Sequence, residues 1–175
     1  TSPRAETLWN HALAAAVATE ELARRTRRVD PGRAFLPGLF HDVGRIAFLL
    51  ADEVALEVVD RLVDSGEGDR TVLEQEWYGF DHTEAAAILA EDWGLALEQC
   101  DAIRWHHDPE NAGAAYELAR LINAADYLAY AIGCGSTARA PEDVSVASIG
   151  LDAEGEAALI DHVRALFEDQ KQLLG

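Results

Sequence analysis

Phe35-Leu36-Pro37-Gly38-Leu39-Phe40-His41-Asp42-Val43-Gly44-Arg45 is an apolar run that ends in an adjacent His-Asp pair, with a glycine two residues later. Ionisable side chains at the end of a buried helix are costly to desolvate unless something neutralises them. A divalent cation does so, because imidazole and carboxylate both serve as ligands. Outward from this stretch, the chain supplies what such a cation needs. Of its six histidines, five recur beside helix-like segments: His11, His41, His82, His106 and His107. Asp126 sits in a later apolar helix. The sequence predicts that these residues converge on one metal centre.

A length of 175 residues is enough for one domain with a sizeable core. The composition, 49% hydrophobic and 26% charged, is that of a globular protein. Abundant alanine and leucine favour helix. The formal charge is −18, and Lys171 is the single lysine. Such an acidic surface repels phosphate backbones and argues against nucleic acid as a partner. A small anionic ligand stays open if a metal or local arginines reverse the field in a pocket. Cys100 and Cys134 have no metal-ligand spacing and read as reduced thiols, in or near the core of a cytoplasmic protein. No apolar run reaches transmembrane length and the first residues form no signal peptide, so no membrane association is expected. The chain has no methionine and starts at Thr1, which leads to the expectation of a piece of a longer protein.

Ser2-Pro3 suits a helix start, with serine as N-cap and proline at the first helical position. Leu8, Ala12, Ala15, Ala16, Leu22 and Ala23 follow at helical spacing, and His11 beside this stripe turns inward. Arg24, Arg25, Arg27 and Arg28 close the helix where positive charge suits the macrodipole, and read as a solvated face over a phosphate site. Asp30-Pro31 opens a second helix that carries Phe35, Leu36, Leu39 and Phe40 into the core and delivers His41-Asp42. Gly44 permits a close backbone approach or an unusual dihedral. Ile46, Phe48, Leu49 and Leu50 begin another apolar segment, and a helix over residues 54–63 stops in the loop at 65–69.

Thr71-Val72-Leu73-Glu74 and Asp81-His82-Thr83-Glu84 read as capping boxes, the second placing His82 at a first helical position. That helix carries Ala86, Ile88, Leu89 and Trp93 and ends at Gly94. A helix over 97–105 leads into His106-His107-Asp108-Pro109, where the proline puts both histidines at or near a helix end. Residues 114–132 are strongly helical, with Leu118, Leu121, Ile122, Ala125, Leu128 and Ala129 as the buried stripe and Asp126 next to it. Residues 133–148 read as a loop. Asp152 caps a last helix with Leu159, Ile160, Val163, Leu166 and Phe167 on its inner face. Nothing alternates in the β manner, so the expectation is one all-α domain over residues 1–175.

Each ionisable residue has an ordinary reading by itself. An inward histidine is most often a hydrogen-bonded core residue, and a His-Asp pair a helix-end hydrogen bond. Asp126 could pair with a buried arginine, and His82 could be a passenger of its cap. His162 reads as a surface residue. Together, five partly buried histidines and two carboxylates are expensive without a metal or a dense hydrogen-bond network.

In chain order the series resembles the HD superfamily of metal-dependent phosphohydrolases, whose pattern is a His, a His-Asp pair and a later Asp. The wording is most similar to the HDOD signalling domain. The matching stretches are Leu8-Trp9-Asn10-His11, residues 35–45, Glu76-Trp77-Tyr78-Gly79-Phe80-Asp81-His82, Trp93-Gly94-Leu95, Ile103-Arg104-Trp105-His106-His107-Asp108-Pro109 and Ala125-Asp126-Tyr127-Leu128-Ala129. The resemblance implies a compact multi-helix HD bundle, without the helices that usually precede the tryptophan–histidine motif. It implies that His11, His41, Asp42 and Asp126 hold a first metal. Asp42 would bridge to a second, held by His82, His106 and His107, as in the related HD-GYP cyclic-di-GMP phosphodiesterases. Two such ions activate a bridging water or hydroxide and clamp a phosphate. One or two divalent ions are implied, with iron or manganese favoured over magnesium by the histidine-rich set.

The chain departs from the HD-GYP pattern at three places. The Gly-Tyr-Pro motif is missing, since Asp108-Pro109-Glu110-Asn111 follows His107. The lysine that often follows His-Asp-x-Gly is Arg45, which meets phosphate with fork geometry. The glutamate one turn before the first histidine falls at Thr7, and Glu6 is off register. Metal binding is the stronger expectation and cyclic-dinucleotide hydrolysis the weaker. The resemblance thus implies a bacterial signalling module acting through partner domains or proteins. The alternative is a phosphohydrolase or phosphodiesterase on a nucleotide or other phosphoester, with Asp42 and Arg45 as catalytic residues.

Overall fold

Ser2 accepts a hydrogen bond from Ala5 N, and Pro3 occupies the first position of helix α1, Pro3–Thr26. In the computed structural model, which describes residues 2–138, 146, 149–150 and 153–174, no strand occurs among the described residues. The protein is all-α, as its composition predicts. Helix α1 runs through the middle and packs against α8 (Tyr116–Ala131), α2 (Phe35–Phe40) and α9 (Ala153–Leu174). Its closing arginines lie at the surface, where Arg24 and Arg25 reach back one turn to Glu20 and Glu21 at 2.6 and 2.7 Å.

The expected second helix is not continuous. Asp30-Pro31 opens a short 3-10 turn, Pro31–Arg33, which is followed by α2, a turn at His41-Asp42, and α3 (Val43–Ala51). Asp42 breaks the helix at φ −106°, ψ 9°, in the sparsely populated bridge region where functional residues often sit. Adjacent residues on an unbroken helix diverge by roughly 100°. The break lets His41 and Asp42 face the same interior.

Leu36, expected in the core, is 46% exposed, while Pro37 and Gly38 are buried. The cause is the closeness of α2 to α1. A Cβ on Gly38 would lie 2.5 Å from Thr19 Oγ1, so the smallest residue must face inward. The same holds on α6 (His82–Asp92), where Ala85, Ala86, Ala87 and Ala90 are buried and Ile88 and Trp93 are exposed. Leu97, at the start of α7 (Leu97–Arg104), is also exposed.

Asp52 caps α4 (Glu53–Ser65) and Asp69 caps α5 (Arg70–Tyr78). The capping box expected at Thr71–Glu74 does not form, because Glu74 is fully buried and its carboxylate turns to His82. Asp81 caps α6 as expected, accepting from Thr83 N and Glu84 N. On α9, Leu159, Val163 and Phe167 are buried. The cap expected at Asp152, and most of the loop expected at 133–148, lie outside the described residues.

Pro31–Ala51 is long and apolar enough by composition to cross a membrane, which corrects the expectation that no run reaches that length. Half of it is buried inside the protein, and it is divided into three helical pieces around buried His41, Asp42 and Arg45.

Gly44 explains how α3 meets α6. A Cβ there would lie 2.2 Å from the carbonyl oxygen of His82, so the glycine answers a close backbone approach. Gly44→Ala should therefore lower stability by roughly 1–3 kcal/mol through overpacking. Gly32→Ala, whose Cβ meets only Asp30 Oδ1 at 3.5 Å, should stay within about 0.5 kcal/mol of the parent. Urea unfolding of both variants checks the contrast.

Candidate metal centre

Helix ends leave their last carbonyls without partners, and here histidines use them. His41 follows the last residue of α2 and its Nδ1 lies 2.8 Å from the Gly38 carbonyl. His106 follows α7 and its Nδ1 lies 2.7 Å from the Ile103 carbonyl. Both rings turn back three residues to donate, and both are fully buried. His11, in the middle of α1, does the same with the distant Cys134 carbonyl at 3.0 Å. His82 opens α6 and sets its Nδ1 2.5 Å from Glu74 Oε2.

A neutral imidazole that donates through Nδ1 carries a lone pair at Nε2. The four Nε2 atoms point into one interior space with Asp42 at its centre. Asp42 lies 3.5 Å from His11 Nε2, 3.6 Å from His41 Nε2 and 3.3 Å from His82 Nε2. Asp126 Oδ1 lies 3.1 Å from His11 Nε2. His107, half-buried, brings its Nε2 within 3.2 Å of His82 Nε2. Asn123 on α8 holds the corner by donating to the His106 carbonyl at 2.9 Å.

All seven residues predicted as ligands thus come together: His11, His41, Asp42, His82, His106, His107 and Asp126. Three overlapping groups have potential ligand atoms within 4.8 Å of one another: His11, His41 and Asp126; His41, Asp42 and His106; and His82, His106 and His107. His162 lies outside, at the surface, 3.3 Å from Glu21.

The donor set fits a divalent cation on its own chemistry. Nε2 of His11, His41 and His106 and Oδ1 of Asp126 are buried without a hydrogen-bond partner. Buried polar atoms are rarely left so, and each costs about 1–3 kcal/mol. Burial lowers the proton affinity of His41, and that of His106 further still, helped by His107 and His41. These rings stay neutral and able to ligate. Burial works against a charge on His11 too, but Asp126 and Asp42 outweigh it and raise its proton affinity. Burial would push Asp42 up, yet His41, Arg45, His82 and His11 hold its carboxyl well below the usual range. The cavity therefore attracts positive charge.

Arg45 is buried, donates to Asp42 Oδ2 at 2.9 Å and bonds Ser136. Its other nitrogen, Nη2, faces Asp60 on α4 at 3.5 Å. Asp60 also pairs with Arg4 on α1 and with Arg70 on α5. Glu74, Asp60, Arg70 and Ser136 were missed from the sequence. Charged residues on amphipathic helices normally face solvent, and Glu74 had a local explanation as a cap.

Residues 1–109 match the HDOD domain. Among solved structures, an HDOD domain protein of unknown function from Geobacter sulfurreducens is 25% identical, with a TM-score of 0.67 over 96% of this chain and 59% of its own. The MmoQ response regulator from Methylococcus capsulatus str. Bath is 26% identical, with a TM-score of 0.68 over 89% of this chain and 61% of its own. A Marinobacter aquaeolei VT8 protein, provisionally named for signal transduction, is 27% identical, with a TM-score of 0.72 over 93% of this chain and 38% of its own. The chain thus spans between 38% and 61% of the length of these relatives. No curated protein matches it. With the match extending over more than half of its length, the chain belongs to the HDOD domain family.

Proposed function

We propose that the protein is a bacterial signal-transduction module of HDOD type, built around a divalent-metal centre and working in the cytoplasm through partner domains or proteins. The observation that carries the metal is the inward convergence of histidine Nε2 atoms whose Nδ1 atoms are fixed from behind. Histidine ligands in metal sites are held in the same way, by an acceptor on the other ring nitrogen. The donor set favours iron or manganese, with magnesium third.

The grouping of the side chains supports two positions. His11, His41, Asp42 and Asp126 would hold one ion, and His82, His106 and His107 the other, with Asp42 shared between them. The signalling role is supported by the family and by the response regulator among its structural relatives.

A hydrolytic reading is favoured by one observation: His107 is half-buried while His11, His41, His82 and His106 are closed off, which leaves a side from which a small phosphoester could approach. The metal would supply Lewis acidity and an activated water. Asp42 and Arg45 would be the catalytic residues, Asp42 fixing charge at the centre of the site and Arg45 fixing Asp42.

Elemental analysis of purified protein by inductively coupled plasma mass spectrometry tests the metal. Wild type is expected to carry about two iron or manganese ions per chain, and His41→Ala to lose at least one. A wild type that holds none after anaerobic reconstitution would refute the metal centre. The hydrolytic reading expects metal-loaded wild type to cleave bis(p-nitrophenyl) phosphate, and Asp42→Ala to fall to the uncatalysed rate with its helical circular dichroism intact. Absence of turnover across nucleotides and cyclic dinucleotides would leave the signalling role alone.

A further inference from the structure

The four anchored histidines are not equivalent. His11, His41 and His106 donate to neutral backbone carbonyls. His82 alone faces a carboxylate, Glu74 Oε2, which lies 2.5 Å from its Nδ1 and also accepts from its backbone N at 2.8 Å. Glu74 is fully buried, where a carboxylate is costly unless paired. Its second oxygen, Oε1, takes that pairing from Arg70 Nη1 at 3.3 Å. Arg70 Nη2 then donates to Asp60 Oδ1 at 2.8 Å. Asp60 faces Arg45 at 3.5 Å, and Arg45 donates to Asp42 at 2.9 Å. The charges alternate in sign along the whole path, which begins at one candidate ligand and ends at another.

We infer that Glu74 is a positioning residue for the His82 end of the centre, held ionised in the interior by Arg70. This rests on the two-position metal reading above. An ionised carboxylate behind an imidazole fixes its tautomer and ring orientation and makes the opposite nitrogen a stronger donor than a carbonyl does. The His82 group therefore differs from the His11 group in donor strength, and the difference resides in one replaceable side chain. Glu74 would not itself hold the ion, and acts only through His82.

Glu74→Gln keeps the shape and an acceptor oxygen but removes the charge. The test is an equilibrium titration of metal-free protein with Mn2+, with free and bound ion read by electron paramagnetic resonance. Wild type is expected to show two binding steps. Glu74→Gln should keep one step at the wild-type affinity and weaken the other by about 10- to 100-fold. Its far-ultraviolet circular dichroism should be unchanged, which a general loosening of the fold would not permit. Should Glu74→Gln fail to fold, Glu74→Asp keeps the charge, shortens the reach, and is expected to show the same one-sided loss. Two unchanged steps, or two steps weakened alike, would overturn the inference while leaving the two-position reading in place. A wild type with a single step would overturn that reading itself, and this inference with it.

Discussion

The direction in which each histidine spends its one N–H is the constraint on which the centre depends. A neutral imidazole has one donor and one acceptor. By donating outward, to Cys134, Gly38, Ile103 and Glu74, the rings send their acceptors inward. Acceptors facing acceptors and carboxylates have nothing to bond without a cation or a shared proton. His11 Nε2 and Asp126 Oδ1, 3.1 Å apart, state the problem most simply. Asp126 and Asp42 raise the proton affinity of His11, so positive charge is what this demand calls for. A divalent ion meets it without breaking any outward bond.

The fold produces this arrangement with one local device used twice. His41 and His106 each sit just past a helix and fold back onto the carbonyl three residues earlier. That carbonyl needs a partner in any case, so the ring direction follows from helix termination. This is why the sequence was readable here. A His-Asp pair after an apolar run, and a His-His pair before Asp-Pro, are helix-end patterns, and helix ends are local. His11 and Asp126 were readable from the stripe each lies beside. The helical class followed from composition and from serine, aspartate and glycine at the caps.

What could not be read depended on which charged residue meets which across the fold. Glu74 and Asp60 sit on helices whose other acidic residues are solvated, and nothing local marks them as buried. Glu74 was even explained, as the closing residue of a cap that Asp69 in fact supplies alone. The exposed Leu36 and Ile88 have a related cause. Large apolar residues look like core by type, but α2 and α6 meet their neighbours so closely that glycine and alanine take the inner face. Apolar pattern reports that a helix has an inside, whereas interhelical distance decides which residues can occupy it.

The two halves of the molecule are held by different forces, and the centre lies on their boundary. Around α1, α8 and α9 the interior is a large apolar cluster that includes Leu22, Leu121, Ile122, Leu128 and Leu159. Around α3 and α4 the apolar cluster is small, with Phe48, Leu56 and Ala85 at its centre. There the alternating path of Arg45, Asp60, Arg70 and Glu74 runs across α3, α4 and α5. Buried ion pairs contribute less net stability than apolar packing of the same volume, but they fix relative geometry, and breaking one leaves a charge uncompensated. His11 and Asp126 belong to the apolar half and His82 to the ion-paired half, while Asp42 sits at the break between α2 and α3 and reaches both. A cation bound between them would add a link where apolar packing on the α3–α5 side is sparse. On the proposed reading, an ion at the centre would tie the α3–α5 side to the apolar half through Asp42, the residue that already faces both.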